Sequence, residues 1–462
     1  MAESRDLVFR LLSRSVLTVF ASRSYDPPAL ERLGGNMDGL TRRATHGWNR
    51  GLLLTLLVAF AVRLGSAFVV EQRVAATPGG VCLFPDADGY WELARTIVAG
   101  QDYSIYAPPR HVLRMPGFPV LLALSQRLFG ESTLAARLLL VCVGTAACGL
   151  TYWLGRELCD HSTGLLAAIY TALSPTMALF SVLLLSETAF AATLLASLLA
   201  IARMARRAEG VSSARCFDGV SLLAGVLIAV ATYMRPTWLY VGPMIAVVVL
   251  GSRRGGRSTT SFLTSFGWLV VGVAVTLSPW VWRNHSVTGH FVPTTLWVGP
   301  SLYDGLHPGA TGDSDMDFFE QDLLLATMSE HEMDREYRRR AMAFAWENPG
   351  RTMWLAVVKQ GRYWSLVPNA AQFRDAKLQV VVLLAALPLF VFALCGAWLA
   401  RRDVSLLALT TGAIVLFAGM HLFFVGSLRY RLPAEYPLAV LAARGVRPLL
   451  IRCGWLSGPA SP

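Results

Sequence analysis

Long apolar runs alternate with short polar segments along most of the chain, and this alternation predicts a bundle of membrane-spanning helices. A helix needs about 20 apolar residues to cross the hydrocarbon core of a bilayer. Runs of suitable length lie at 51–70, 133–154, 162–182, 187–204, 218–234, 236–251, 261–282, 378–399, 404–425 and 432–450. The pattern therefore predicts an all-α polytopic membrane protein with about ten transmembrane helices.

Short arginine clusters between these runs indicate the orientation of the bundle. They precede the first run and follow the fourth, sixth and eighth: Arg42, Arg43 and Arg50; Arg203, Arg206 and Arg207; Arg253, Arg254 and Arg257; Arg401 and Arg402. Cytoplasmic loops carry an excess of Lys and Arg, so these clusters place both termini inside the cell. We expect a multi-pass protein of the inner (plasma) membrane, with the long segments 71–132 and 283–377 on the outer face.

The predicted domains follow from this topology. They are a cytoplasmic amphipathic segment (1–48), an amino-terminal transmembrane module with the first outer loop at 71–132 (49–282), an extracytoplasmic loop with interfacial helices (283–377), carboxyl-terminal transmembrane helices (378–451) and a cytoplasmic tail (452–462).

Both outer loops contain amphipathic stretches typical of helices that lie at a membrane surface. In the first, an apolar stripe at helical spacing predicts such a helix: Tyr90, Leu93, Ala94, Ile97 and Val98. In the second, Asn348-Pro349-Gly350 breaks one helix before another that is rich in Trp, Arg and Lys. We expect the second loop to cover a cavity at this outer surface.

Composition agrees with a membrane protein and narrows the partners. Hydrophobic residues make up 54% of the chain, charged residues 15%, and the mean hydropathy is +0.48. A net charge of +11 would suit nucleic acid, but the arginines lie between apolar runs, where orientation explains them better. The seven cysteines show no spacing typical of a disulfide framework or a zinc site.

Two acids stand directly behind the first apolar run, in the segment Phe84-Pro-Asp86-Ala-Asp88-Gly-Tyr90. A carboxylate beside a bilayer costs free energy, so a pair of them indicates an active site. Either aspartate could instead cap the helix that follows. The Asp-x-Asp spacing could also hold a divalent cation, although two carboxylates without a third ligand are weak support for a metal.

Three arginines, Arg235, Arg429 and Arg431, lie in short outer connections where positive charge is normally scarce. Something negative should compensate them, and a lipid phosphate fits because guanidinium groups bind phosphate bidentately. The alternative is that each arginine lies at a helix end and extends to the lipid headgroups.

Two further charged residues allow a structural or a functional interpretation. Glu187 follows Ser186 at an outer helix start, where it either forms part of an N-cap or binds the sugar or the acceptor. Arg114 either anchors its loop or pairs with the acids. Arg63, inside the first run, is predicted to extend outward with Glu71 as its partner.

At this point the ordered set of short motifs resembles one superfamily. The motifs are Asp86-Ala-Asp-Gly-Tyr90, Arg114-Met-Pro-Gly117, Ser186-Glu187, Arg235-Pro236, Ser278-Pro-Trp-Val-Trp-Arg283-Asn284, Ser301-Leu-Tyr303 and Arg429-Tyr-Arg431-Leu-Pro433. Over roughly residues 50–450 the chain is similar to the GT-C membrane glycosyltransferases, specifically the bacterial relatives of protein O-mannosyltransferases (glycosyltransferase family 39) and of the lipid A aminoarabinose transferase.

The resemblance implies a GT-C bundle that transfers a hexosyl or pentosyl group, with inversion, from a polyprenyl-phosphate donor to an outer-face acceptor. The acceptor would be a protein, lipid A or a glycan. In the family the first-loop Asp, four residues before a Tyr, acts as a base or orients the acceptor, which corresponds to Asp86 and Tyr90. The resulting assignment is catalytic Asp86 and Glu187, with Asp88, Tyr90, Arg114, Arg235, Tyr303, Arg429 and Arg431 binding substrate.

The chemistry of such a transfer agrees with these residue types. An attacking alcohol or amine must lose a proton, and we expect a partly apolar site to raise the pKa of the Asp86 carboxyl so that it can accept one. The lipid phosphate needs positive charge as it leaves, which arginine supplies.

A transporter or lipid flippase is the alternative function. It would also have many spans and buried charge, but it should show repeated halves with helices broken near the midplane. The sequence shows no such repeat, and Arg235-Pro236 is the one break that would qualify.

Overall fold

The computed structural model describes residues 37–76, 84–207, 217–252, 259–369 and 375–456. The chain divides into two compact units, Met1–Arg50 and Gly51–Pro462, and the site described below lies within the second. Residues 1–36 of the predicted amphipathic segment (1–48), and residues 457–462 of the predicted tail, lie outside the described residues. The predicted domain boundaries stay predictions.

The described residues form helices connected by turns and loops. In chain order these are α1 Met37–Ala75, α2 Pro85–Val98, α3 Gly117–Phe129, α4 Thr133–Leu158, α5 His161–Leu173, α6 Pro175–Phe180, α7 Glu187–Arg207, α8 Gly219–Met234, α9 Trp238–Ser252, α10 Thr259–Thr288, α11 Val298–Gly305, α12 Asp317–Gln321, α13 Leu324–Thr327, α14 Glu330–Glu347, α15 Pro349–Tyr363, α16 Ala376–Leu399, α17 Val404–Met420 and α18 Leu428–Arg452. The all-α, multi-pass membrane architecture predicted from the sequence is confirmed.

Among the described residues, five helices are long and apolar enough to cross a membrane, judged by length and composition: Arg50–Ala75 of α1, α4, α7, α10 and α16. Four more helices are apolar but shorter, namely α3, α8, α9 and α17. Helix α3 lies inside the segment 71–132 that was predicted as an outer loop. Helix α18 has 25 residues, contains three internal prolines and has much of its first half buried within the bundle.

The predicted run 162–182 is two helices rather than one. Helix α5 ends before Ser174, whose hydroxyl accepts the Met177 N–H at the start of α6, and Pro175 is the first residue of α6. The guanidinium of Arg63, fully buried, donates to the carbonyls of Thr171 and Ala172 at this helix end. Arg63 therefore caps a buried helix terminus, and the prediction that it extends outward towards Glu71 is wrong.

Helix α2 does not expose its apolar stripe to lipid. Leu93 and Ala94 are buried, while Tyr90, Ile97 and Val98 pack against the main core. Helices α2 and α3 pack against each other. The prediction of a helix at these residues is confirmed, but the stripe contacts protein because the apolar helix α3 provides a partner that the sequence pattern did not reveal.

The two outer segments are bonded to each other. The carboxylate of Glu330, at the start of α14, accepts the backbone N–H groups of His111 and Val112. Arg110 donates to the carbonyl of Met328, at 2.8 Å. The predicted break at Asn348-Pro349 is confirmed, since α14 ends at Glu347 and α15 begins at Pro349. These contacts hold the second outer segment over the first.

Candidate active site

Asp86 lies in the first turn of α2, directly after Pro85, which occupies the first helical position. Its Oδ1 accepts a hydrogen bond from Nη2 of Arg114 at 2.9 Å, and its Oδ2 accepts one from Nη1 of Arg429 at 2.8 Å. The N-cap residue is Phe84, and no side chain caps this helix. Asp86 is therefore an ion-pair partner of two arginines and does not cap the helix.

Glu187 is the first residue of α7, and its side chain is wholly buried. Its Oε1 accepts from Nη2 of Arg235 at 2.6 Å and also from Nε of Arg429. Its Oε2 is buried without a hydrogen-bond partner. Arg429 thus bridges the two carboxylates, and five charged side chains form one network: Asp86, Arg114, Glu187, Arg235 and Arg429.

Local sequence explains how these residues meet. Arg235 follows the last residue of α8 in an extended conformation, as expected for a residue that precedes a proline. Arg429 lies in the first turn of α18, after the N-cap Ser427. Arg114 lies just before α3, whose first residue, Gly117, contacts α8 so closely that a Cβ would be 2.6 Å from the carbonyl oxygen of Tyr233. This contact brings the loop that carries Arg114 to the helix that ends at Arg235.

The segment that precedes Glu187 is held in place by a side chain of another helix. Residues 181–186 are entirely buried. Arg137 of α4 donates to the carbonyl of Val182 at 2.7 Å and to the carboxylate of Glu71 at 2.8 Å. A buried arginine that binds a loop carbonyl limits the conformations of that loop, so the position of Glu187 is well defined.

Aromatic rings flank the arginines on two sides. The guanidinium of Arg114 lies 4.8 Å from the ring of Tyr90. The guanidiniums of Arg235 and Arg429 lie 5.5 and 5.9 Å from the ring of Tyr430. His421 stacks on Tyr430 with ring centroids 4.7 Å apart. These distances allow cation–π attraction, and the aromatic rings keep the arginines in place.

Tyr430 and His421 were not identified from the sequence. The signal for Tyr430 was its place between Arg429 and Arg431, whereas His421 gave no sequence signal.

The two acids of the network differ in how much of the side chain is exposed. The Asp86 side chain is 38% exposed, those of Arg114, Arg235 and Arg429 are between 16% and 19% exposed, and that of Glu187 is 0% exposed. A substrate can therefore reach Asp86 directly, while Glu187 contacts only the arginines around it. Asp86 is therefore the accessible acid of the network, and Glu187 is the enclosed one that accepts from Arg235 and Arg429.

The protonation state of Asp86 differs from the expected one. Burial raises the pKa of its carboxyl, but the charges of Arg114 and Arg429 and their hydrogen bonds outweigh that effect and hold the pKa well below its ordinary value. The expectation of a raised pKa is wrong for this arrangement. While both arginines stay bound to Asp86, its carboxylate is a poor proton acceptor.

The other predicted site residues lie outside the network. Arg431 is fully buried and donates to Glu435 and to the carbonyl of Tyr363, so it does not join Asp86 and Glu187. Asp88 is exposed, one turn into α2. Tyr303 packs among the rings of His307, Phe318 and Tyr337 in the second outer segment.

The site does not fit a divalent cation. Both oxygens of Asp86 already accept guanidinium hydrogen bonds, and Glu187 is enclosed by two arginines. Within the described ranges no group of three or more His, Cys, Asp or Glu side chains is placed to hold a metal. The guanidinium groups supply positive charge where a cation would otherwise be needed.

One family model matches the sequence. Residues 111–282 match the family described as dolichyl-phosphate-mannose-protein mannosyltransferase. This segment includes Arg114, Glu187 and Arg235 of the network. The match confirms the resemblance to the GT-C membrane glycosyltransferases. No curated protein sequence matches the chain significantly.

Several solved structures resemble this chain at low identity. Oligosaccharyltransferase AglB from Archaeoglobus fulgidus, in complex with an inhibitory peptide and a dolichol-phosphate, is 13% identical with a TM-score of 0.47, covering 91% of this chain and 53% of AglB. The A. fulgidus enzyme tethered to an acceptor peptide is 13% identical with a TM-score of 0.45, and the match covers 87% of this chain and 50% of that enzyme. ArnT from Cupriavidus metallidurans bound to undecaprenyl phosphate is 15% identical with a TM-score of 0.42, and the match covers 88% of this chain and 79% of ArnT. The chain spans about half the length of the archaeal enzymes it matches.

Proposed function

We propose that this protein transfers a sugar from a polyprenyl-phosphate donor to an acceptor on the extracytoplasmic face of the membrane, with inversion at the anomeric carbon. One observation carries the proposal. Two carboxylates and three arginines, supplied by α2, α7, the end of α8, α18 and the loop before α3, converge on one partly open site. The family match at residues 111–282 supports the same reaction class.

The charge of the network favours a phosphodiester. Asp86 and Glu187 contribute two negative charges, and Arg114, Arg235 and Arg429 contribute three positive ones, so the network carries a net charge of +1. A sugar linked through phosphate to one lipid chain carries a single negative charge. Binding it would neutralise the site, and guanidinium groups suit phosphate because they donate two parallel hydrogen bonds.

Donor binding also explains how Asp86 becomes a base. Arg429 contacts both carboxylates, and a phosphate that accepts hydrogen bonds from Arg429 and Arg235 competes with Asp86 for Arg429 and with Glu187 for both arginines. As Arg429 turns to the phosphate, the pKa of Asp86 rises towards its ordinary value. The acid is thus activated only when the donor is in place.

The reaction is then a single displacement. The acceptor oxygen or nitrogen attacks the anomeric carbon, and the bond from that carbon to the phosphate oxygen breaks with its electron pair going to the phosphate. The acceptor proton passes to Asp86, while Arg235 and Arg429 stabilise the charge that develops on the leaving phosphate. One displacement inverts the anomeric configuration.

Complementation of a deletion strain tests the proposal. Envelope lipids, glycans and glycoproteins would be compared by mass spectrometry in strains that express the wild type, Asp86→Asn or Asp102→Asn, at matched membrane abundance. Asp102 is an exposed aspartate of the same outer segment and serves as the matched control. We expect the wild type and Asp102→Asn to restore the same sugar-bearing product, and Asp86→Asn to reduce it at least about 100-fold.

Two outcomes would contradict the proposal. Full restoration by Asp86→Asn would remove Asp86 from the chemistry. A deletion phenotype in which no glycosylated product changes but a lipid or solute accumulates on one side of the membrane would favour the transporter or flippase instead.

A further inference from the structure

Helix α15 binds the turn that precedes Arg429. Three polar side chains of its last turn and a half donate to carbonyls beyond or near the end of α17. Gln360 donates to Ala418 at 2.8 Å, and Arg362 donates to Gly426 at 3.2 Å. Lys359 donates to Phe423 at 2.7 Å and to Leu422 at 3.4 Å. The turn of residues 421–427 is therefore bonded along its length to α15.

Lys359 is the central residue of this contact. Its side chain has no exposed surface, although the sequence pattern placed it among residues suited to lipid headgroups. Its ammonium lies at the carboxyl-terminal end of α17, where unpaired carbonyls and the helix dipole favour positive charge. A Cβ on Gly426 would lie 2.2 Å from the carbonyl oxygen of Lys359, so the turn also packs directly on the α15 backbone.

The same turn leads to the active site. His421 begins it and stacks between Tyr363 of α15 and Tyr430 of α18, with centroid distances of 5.5 and 4.7 Å. Tyr430 in turn lies beneath the guanidiniums of Arg235 and Arg429. One residue, Leu428, separates the end of the turn from Arg429, and the Ser427 hydroxyl accepts the backbone N–H of Arg429.

We propose that Lys359 is a positioning residue of the transferase: it fixes the turn of residues 421–427 and thereby holds Arg429 where it can bind the donor phosphate. This inference rests on the proposed function for the phosphate, and the turn itself can be measured without any substrate.

The choice of residue type supports this role. Of the 41 Lys and Arg residues in the chain, only two are lysines, Lys359 and Lys377. A Cβ placed on Gly305 would lie 3.2 Å from Nζ of Lys359, which shows how little space surrounds the ammonium. A compact ammonium fits this enclosure better than the larger planar guanidinium that the chain uses for nearly all its other cationic side chains.

The charge of Lys359 is sensitive to pH. Burial lowers the pKa of its ammonium to about 8, against the opposing attraction of Asp304 on α11. Burial raises the pKa of Asp304, whose oxygens accept the Asp315 N–H and the Ser314 hydroxyl. The other ionisable groups that face this region are Arg362 on the same helix, its ion-pair partner Asp313, and His421 on the turn. Of these groups, Lys359 is the one that loses its charge near pH 8.

The experiment uses the full-length protein in lipid nanodiscs and the variants Lys359→Met, Lys359→Gln and Lys377→Met. Lys377, exposed in the first turn of α16, is the matched control. Hydrogen exchange of the backbone amides of residues 421–430 reports on the turn, and the affinity for undecaprenyl phosphate reports on Arg429. Lys359→Gln keeps an N–H donor without the charge and serves if Lys359→Met does not accumulate.

We expect Lys359→Met to exchange at least about fivefold faster in the turn and to bind undecaprenyl phosphate at least about fivefold more weakly, because two carbonyls of the turn lose a charged donor. Lys359→Gln should lie between Lys359→Met and the wild type, and Lys377→Met should match the wild type. In the wild type the affinity should fall as the pH rises through about 8, and this step should be absent in Lys359→Met.

Three other results would contradict one part of the argument each. Unchanged exchange in Lys359→Met would overturn the proposal, and so would faster exchange with undiminished affinity, since the turn would then not govern Arg429. A wild type that does not bind undecaprenyl phosphate would contradict the proposed donor instead, and the exchange data would still decide whether Lys359 fixes the turn.

Discussion

At the scale of single residues, Arg429 is the centre of the site because it alone contacts both carboxylates. Its Nη1 donates to Asp86, and its Nε donates to Glu187. Asp86 and Glu187 also hold Arg114 and Arg235, respectively. A side chain that joins two acids needs two separated donors in a fixed geometry, which a guanidinium has and an ammonium lacks.

Replacing Arg429 with lysine should therefore impair the site although the charge is kept. We expect Arg429→Lys to bind undecaprenyl phosphate at least about tenfold more weakly, because one of two charge-assisted hydrogen bonds is lost in a partly buried site. Titration calorimetry or native mass spectrometry in nanodiscs measures this. Arg95→Lys is the control, since Arg95 pairs with Glu92 and Glu131 on the surface. Equal affinities for both variants would show that only net charge matters.

All five residues of the network were among the candidates predicted from the sequence, but the sequence did not show that Arg431 lies outside the network. The five charged residues were predicted as candidate site residues, and they meet in the structure: Asp86, Arg114, Glu187, Arg235 and Arg429. Arg431 was grouped with Arg429 because residues 429–433 resemble a short loop. They instead open α18, and residues two apart on a helix point in different directions. Only the secondary structure of this segment separates the two arginines.

At the scale of elements, the contact between α3 and α8 sets the distance between the loop that carries Arg114 and the residue that ends α8. Gly117 is the first residue of α3, and its backbone lies against the Tyr233 carbonyl near the end of α8. Arg114 lies three residues before Gly117, and Arg235 lies two residues after Tyr233. A side chain at position 117 would push the two elements apart.

Substituting Gly117 with alanine should thus lower both stability and ligand affinity. A Cβ would lie 2.6 Å from the Tyr233 oxygen, and overpacking against a backbone atom costs about 1–3 kcal/mol. Thermal unfolding in detergent and undecaprenyl phosphate binding measure the two effects. Gly267→Ala is the matched control, because that glycine lies within α10 with no atom within 4 Å of an added Cβ. A Gly117→Ala protein as stable as the control would contradict the close contact.

The elements that hydrophobic periodicity predicted well are the long ones. Five helices match predicted runs: α1, α4, α7, α10 and α16. A run of about 20 apolar residues in a membrane protein can satisfy its backbone hydrogen bonds in few ways other than a spanning helix. Two shorter features escaped detection. Helix α3 was absorbed into an outer loop, and the break at Ser174-Pro175 was masked by continuous apolarity. Contacts distant in the sequence contribute to both features: Gly117 of α3 packs on Tyr233, and Arg63 binds the carbonyl of Thr171 before the break.

At the scale of the whole molecule, the active-site charges and the basic clusters lie at opposite ends of the same helices. Helix α7 begins at Glu187 and ends near Arg203 and Arg206, which pair with Glu157. Helix α18 begins near Arg429, and Arg447 in its second half pairs with Asp160. At 1.5 Å per residue, the 21 residues of α7 span about 30 Å, the thickness of the hydrocarbon core. From the bias of arginine towards cytoplasmic loops we predict that the site lies on the outer face.

Cysteine labelling in intact cells tests this orientation. In a background whose seven cysteines are replaced by serine, Asp102→Cys on the exposed first outer segment and Arg402→Cys in the exposed turn after α16 report on opposite faces. A membrane-impermeant maleimide should label Asp102→Cys in intact cells and Arg402→Cys only in inverted vesicles, with both labelled in detergent. The reverse pattern would place Asp86 and its arginines in the cytoplasm. A donor there would meet cytoplasmic acceptors, so the labelling result decides which acceptors the enzyme can reach.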